Sequence, residues 1–173
     1  MARSRAVRSL CTAGLVVALA GYYLLAFGRL TVNATDSLPD HAYAMVTWPR
    51  LPWRGAVVAI DLPEVLAEKL EGDRIYLTKR VAGLAGDPVV QRRDDRLCIA
   101  TRCVEAQRRD GALLLPLWDA AEVPAGSIAV LGDSPDSLDS RYAVIGAIPH
   151  TAIRAVGIAI PFPHWTTLAE WLR

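Results

Sequence analysis

A chain of 173 residues is long enough for one folded domain with a real core and a small surplus for a membrane segment or a tail. Its 53% hydrophobic content is high for a soluble protein, and the excess is concentrated near the N-terminus. All 18 acidic residues and 16 of the 19 basic ones follow that apolar region, so the remainder carries a charge near −2. That balance argues against a phosphate-binding surface and so against nucleic acid as a partner. The Arg-Arg pairs at 92–93 and 108–109 read as solvated hairpin faces.

Leu10 to Phe27, "LCTAGLVVALAGYYLLAF", is free of charge over 18 residues, roughly 27 Å of helix, which just crosses a hydrocarbon core. Arg3, Arg5 and Arg8 precede it and only Arg29 follows closely. The positive-inside rule therefore predicts a cytoplasmic N-terminus (residues 1–9), a transmembrane anchor (10–28) and a periplasmic domain (29–173) at a bacterial inner membrane, with the lipid bilayer as a partner. The rival reading is a cleaved signal peptide, whose apolar region is usually about 7 to 15 residues and ends in small residues. The greater length of this run and the charge of Arg29 favour an uncleaved anchor.

Beyond the anchor, short apolar runs alternate with Gly, Pro and Asp, predicting a mainly β domain. The strand candidates are 56–60, 75–84, 88–91, 97–100, 127–133 and 153–160. "PEVLAEKLEGD" at 63–73 predicts an inserted helix, with Val65, Leu66, Lys69 and Leu70 on one face and Gly72 as a stop. "HWTTLAEWLR" at 164–173 predicts a short amphipathic helix whose tryptophans pack on the domain or rest at the bilayer interface. Cys11 lies in the anchor, whereas Cys98 and Cys103 flank four residues that suit a hairpin tip. In an oxidising compartment this pair is expected to form a structural disulfide, and no C-x-x-C redox or zinc pattern is present.

The histidines, His41, His150 and His164, are far apart and none sits in an H-E-x-x-H pattern, so metal-dependent hydrolysis has no footing. Ser37, in "VNATDSLPDHAY", is by itself as good a helix cap as a nucleophile, since "SLPD" fits a capping box. A Ser-His-Asp triad through His41 lacks a G-x-S-x-G elbow to orient it. The chain has two lysines against 17 arginines, and Lys79 falls within an apolar strand, "IYLTKRVAGL". Buried, it would lose the preference for its ammonium form and could act as a neutral base, which arginine cannot do; the bland alternative is a strand lysine facing solvent beside Arg80.

"LTKRVAGLAGDPV" at 77–89 resembles the Lys-Arg-x-x-Gly-x-x-Gly-Asp box of type I signal peptidases, and "GDSPDSLDSRY" at 132–142 resembles their Gly-Asp…Asp-Ser-Arg-Tyr box. "NATDSLPDHAY" is similar to the Asn-x-Thr-x-Ser-x-Pro-x-Gly-x-Tyr pattern of TraF-type conjugative transfer signal peptidases, with Asn33, Thr35, Ser37, Pro39 and Tyr43 in register. The resemblance covers nearly the whole exported part, about residues 33–160, downstream of the anchor. The resemblance implies a signal-peptidase-like β-fold, a partly open barrel or complex of antiparallel sheets preceded by one transmembrane helix.

It also implies a cofactor-free serine-lysine dyad. Ser37 would attack the scissile carbonyl, and neutral Lys79 would take its proton and pass it to the leaving amine, with an acyl-enzyme between. The backbone N–H of Ser37 and the hydroxyl of Thr35 match the family's oxyanion donors. Ser137 matches the serine that orients the lysine, Asp139 and Arg141 a supporting ion pair, and Gly132 and Asp133 the turn near the dyad. His41 departs from the pattern, which has Gly there. The segment before Asp139 is also one residue shorter than in housekeeping signal peptidases, which bears on the Ser137 match. The TraF-type pattern and the helix at 63–73 point to an exported pilin precursor of a type IV secretion system as substrate, resolved by water or by the pilin's own N-terminal amine. A general signal peptidase acting on many signal-peptide-bearing precursors, and a catalytically silent component of the transfer apparatus, are the alternatives.

Overall fold

The computed structural model describes residues 2–32, 37–63, 66, 76–92 and 94–160. Asn33 and Thr35, most of the predicted helix at 63–73 and the whole predicted helix at 164–173 lie outside the described residues.

The apolar run forms helix α1 (Ala2–Phe27), which begins earlier than the uncharged segment because its N-terminal turns continue through the arginines. Its Ser9–Phe27 portion, 19 residues with a mean hydropathy of 2.0, is long and apolar enough to cross a membrane. The helix passes without a linker into strand β1 (Gly28–Val32). A Cβ at Gly28 would lie 2.4 Å from the Leu24 carbonyl oxygen, so glycine is the residue that fits this junction. The Thr47 N–H donates to the Phe27 carbonyl at 3.0 Å, extending the β-ladder one step into the last helical residue. The Tyr23 hydroxyl donates to the Trp48 carbonyl, and the Phe27 ring centroid lies 5.6 Å from that of Trp48.

Eleven more strands follow in chain order: β2 (Ala42–Val46), β3 (Val57–Asp61), β4 (Tyr76–Leu84), β5 (Val89–Gln91), β6 (Arg96–Ile99), β7 (Arg102–Glu105), β8 (Arg108–Arg109), β9 (Ala112–Leu113), β10 (Ser127–Leu131), β11 (Ile148–Pro149) and β12 (Ile153–Ile160). The main sheet has the order β1-β2-β12-β3-β4-β10-β11, and every pairing in it is antiparallel. A second sheet, β5-β6-β7, and the small β8-β9 ribbon come from the excursion between β4 and β10. The expected mainly β architecture after one apolar helix is the one observed.

β4 and β10 are central because their residues are buried on both faces. Val81, Ile128 and Val130 join one core with Val58, Ile60 and Ile153, while Ala82, Ala129 and Leu131 join another with Val89, Leu97, Ile99 and Trp118 from the second sheet. Two-sided burial explains why these segments read as continuous apolar runs instead of alternating ones. A third core, with Leu38, Tyr43, Met45, Val57 and Ala155, lies under the segment that carries Ser37. In a strand with period-two alternation Lys79 shares the face of Val81, which carries it inward beside its register partner Val58.

Candidate active site

Lys79 is 4% exposed, on a strand whose neighbour on one side is β3. Burial holds its ammonium below the ordinary lysine range; the Asp139 carboxylate pulls the other way, and the Arg141 guanidinium reinforces the depression. The register Leu131↔Arg80 between β10 and β4 makes Lys79 and Gly132 the next residues along the two strands. The Gly-Asp turn of the third box therefore starts beside the lysine.

That turn also receives the serine segment. The Asp133 N–H donates to the Ser37 carbonyl at 2.8 Å, with the Ser134 N–H at 3.4 Å from the same oxygen. A Cβ at Gly132 would lie 2.0 Å from Ser137 Oγ, 2.5 Å from Ser137 Cβ and 2.9 Å from the Ser37 carbonyl oxygen. Gly132 is thus required by space, as the close meeting point of Ser37, Ser137 and the end of β10. We expect Gly132→Ala to cost about 1 to 3 kcal/mol of stability by overpacking. Gly132→Ala/Ser137→Ala should recover only part of this in urea unfolding, because the Ser137 Cβ and the Ser37 carbonyl remain in the way.

Asp139 and Arg141 form a buried bidentate pair, 0% and 1% exposed, with Nε to Oδ1 and Nη2 to Oδ2 both at 2.9 Å. Asp139 Oδ2 also accepts the Gly132 N–H at 2.8 Å, and Arg141 donates to the carbonyls of Glu105, Pro135 and Ser134. The pair fixes the whole loop 132–141 from inside. Ser137 Oγ is buried and has no hydrogen-bond partner among the described residues.

A chain of charges surrounds this centre. Arg80 Nη2 lies 2.9 Å from Asp40 Oδ2 and 3.6 Å from Asp133 Oδ2, so one guanidinium ties the serine segment to the third-box turn. Arg102 pairs with Asp133 from the other side. Arg102 has no distinguishing sequence context, while Asp40 reads in the sequence as the acid of a capping box and Arg80 as the arginine of the Lys-Arg box, and neither reading carries these contacts. Asp87, at the end of the lysine box, plays a local part: it accepts the Leu84 N–H, which keeps its carboxyl below the usual range, and pairs with Arg54.

The structure thus gathers the backbone of Ser37 with Lys79, Gly132, Asp133, Ser137, Asp139 and Arg141. Thr35 is outside the described residues, and His41 sits half-buried on the approach to β2. Cys98 and Cys103 lie outside this centre, paired in register across β6 and β7 and bonded to each other.

The family model for signal peptidases, peptidase S26, matches residues 3–162, and the chain belongs to that family, serine proteases that act on signal-peptide-bearing precursors. A signal peptidase I from Enterococcus faecalis is similar at 24% identity, covering 64% of this chain and 97% of its own, with a TM-score of 0.40. No curated protein matches the chain.

Proposed function

We propose that the protein is a membrane-anchored endopeptidase in which Ser37 is the nucleophile and Lys79 the general base. The observation that carries this reading is a lysine 4% exposed beside the turn that binds the carbonyl of Ser37. Desolvation lowers the lysine's pKa, the direction that favours the neutral amine serine activation needs. The amine takes the Ser37 hydroxyl proton as Oγ attacks the scissile carbonyl, and returns it to the leaving amine. Water, or an incoming amine, then resolves the acyl-enzyme. Ser137 Oγ, buried and close to Gly132, suits the task of aiming the lysine, and the Asp139–Arg141 pair holds the loop that carries it. The Ser37 N–H and Thr35 hydroxyl are assigned to the oxyanion.

Substrate access follows from the sheet. β4 pairs with β3 along Tyr76–Arg80, but β10 reaches only as far as Arg80 on the other side. Among the described residues, the edge of Tyr76–Thr78 next to Lys79 is therefore open to an added strand, the way an extended cleavage segment is recognised. The cytoplasmic start, the 10–28 anchor and the periplasmic site are part of the same proposal, as is the substrate: an exported pilin precursor, suggested by the TraF-type pattern around Ser37.

Ser37→Ala and Lys79→Ala are each expected to lower precursor cleavage roughly a thousandfold or more, read as precursor size on a gel. Unchanged processing in both would sink the dyad; cleavage lost in His41→Ala but kept in Lys79→Ala would transfer the base to His41. Intact mass of the mature pilin tests the substrate and the resolving nucleophile together, since a ring is lighter than the trimmed linear chain by one water. Rescue of a strain depleted of its housekeeping signal peptidase would instead favour a general enzyme.

A further inference from the structure

The turn that binds the Ser37 carbonyl is held from outside as well as inside, and the outer hold comes from the second sheet. Arg102, the first residue of β7, donates through Nη2 to the Gly132 carbonyl at 3.1 Å and pairs through the same nitrogen with Asp133 Oδ1. It sits directly after the tip of the β6–β7 hairpin, opposite Ile99 and next to the Cys98–Cys103 pair. The tip is short, Ala100 and Thr101, and Ala100 has a φ of 51°, a left-handed conformation that a non-glycine residue adopts at a cost of about 1 kcal/mol. A covalent link one residue away opposes any opening of such a turn. The β6 arm of the hairpin is anchored separately: Leu97 and Ile99 are fully buried in the core shared with β4 and β10.

We infer that Arg102 is a positioning residue, and that the disulfide-closed hairpin is a brace for the serine loop. The chain of contacts is short. The hairpin fixes Arg102; Arg102 fixes the carbonyl of Gly132 and the carboxylate of Asp133; the Asp133 N–H then fixes the Ser37 carbonyl. Arg80 holds the same carboxylate from the opposite side while reaching Asp40, three residues beyond Ser37. Asp133 is thus caught between two guanidiniums on separate elements, and its backbone is the part that touches the serine segment. The contacts of Arg102 are with the Gly132 carbonyl and the Asp133 carboxylate, one step removed from Ser37. Its loss is expected to slow attack by misplacing Ser37, and to leave substrate binding along β4 intact.

The inference rests on the assignment of Ser37 and Lys79, and steady-state cleavage of a precursor peptide by the full-length, detergent-solubilised protein tests both. Arg102→Ala should lower kcat roughly tenfold with KM within about twofold of the parent, the signature of misplaced chemistry and not of lost binding. Arg102→Lys, which keeps a cationic donor that can reach both oxygens, should recover most of that loss, whereas Arg102→Gln should not. Cys98→Ser/Cys103→Ser should lower kcat in the same sense and by less, because the hairpin retains its ladder and core. Full kcat in Arg102→Ala, a rise in KM alone, equal loss in the Lys and Gln variants, or loss of the cooperative melt in Arg102→Ala would each overturn the brace. Ser37→Ala run alongside separates the two claims: if it cleaves normally the dyad has failed, and if it is inert while Arg102→Ala is normal only the brace has failed.

Discussion

Asp139→Ala is expected to reduce the unfolding free energy by about 3 to 5 kcal/mol, because it leaves the Arg141 guanidinium buried without its counter-charge. Arg141 is 1% exposed, and its remaining partners are neutral carbonyl oxygens of Ser134, Pro135 and Glu105. The same change removes the acceptor of the Gly132 N–H at 2.8 Å, so the turn behind Ser37 loosens as well. Urea unfolding midpoints measure the effect. Asp139→Leu/Arg141→Met should be much less destabilised than either single variant, since replacing a buried pair as a unit avoids the orphaned charge. If the double variant were the worse of the two, the loss would belong to packing and not to the ion pair. A second readout comes from Lys79: the Asp139 carboxylate favours its ammonium, so any residual activity of Asp139→Ala should have its pH profile displaced toward lower pH.

Lys79→Met should abolish cleavage and at the same time raise the melting temperature at pH 7. The ordinary lysine value is 10.5, and burial holds that of the folded protein lower. Between the two values the unfolded chain binds more protons than the folded one, so stability rises with pH through that window. Below it the folded state bears the full cost of a buried ammonium. Methionine, similar in length and apolar, removes that cost, and the advantage over the parent should close as the pH approaches 10.5. Melts of both proteins across this range give the comparison, and a lower melting temperature for Lys79→Met at pH 7 would show that the lysine is held by attraction and not trapped by burial. For the parent enzyme the same depression predicts that kcat climbs with pH through one ionisation placed below the ordinary lysine range, as a base that must be neutral requires.

Much of this arrangement was legible in the sequence, and the exceptions have physical reasons. The anchor, the lysine strand and the segments 127–133 and 153–160 announce themselves by apolar runs, which two-sided burial produces. β1 and β2, which flank the serine segment, did not. β1 is a continuation of the anchor, and β2 is Ala-Tyr-Ala-Met-Val, whose small residues blunt the alternation even though Tyr43 and Met45 point into a core. Gly132, Ser137, Asp139 and Arg141 could be named only through their match to the signal-peptidase boxes, and that match also turned Lys79 from a strand lysine into a candidate base. The ion pairs of Asp40, Arg80 and Arg102 could not be read there, since Asp40 stood only as a capping acid and Arg80 only as part of the Lys-Arg box. Surface-edge charges acquire meaning only from what folding brings within about 4 Å, and Arg102 meets Asp133 across 31 residues of chain.

The junction of α1 and β1 has a mechanical corollary. A helix joined to its domain through a flexible linker can lean in the lipid while the domain stays upright. Here the last helical turn is stitched to β2 through Thr47 and held by Tyr23 and Phe27 against Trp48, so any lean of the helix is transmitted to the sheet as a rigid rotation. A bilayer whose thickness forces the helix over would turn β4, with Lys79 on it, through the same angle. The lipid environment would then set the orientation of the proposed cleavage site relative to the bilayer.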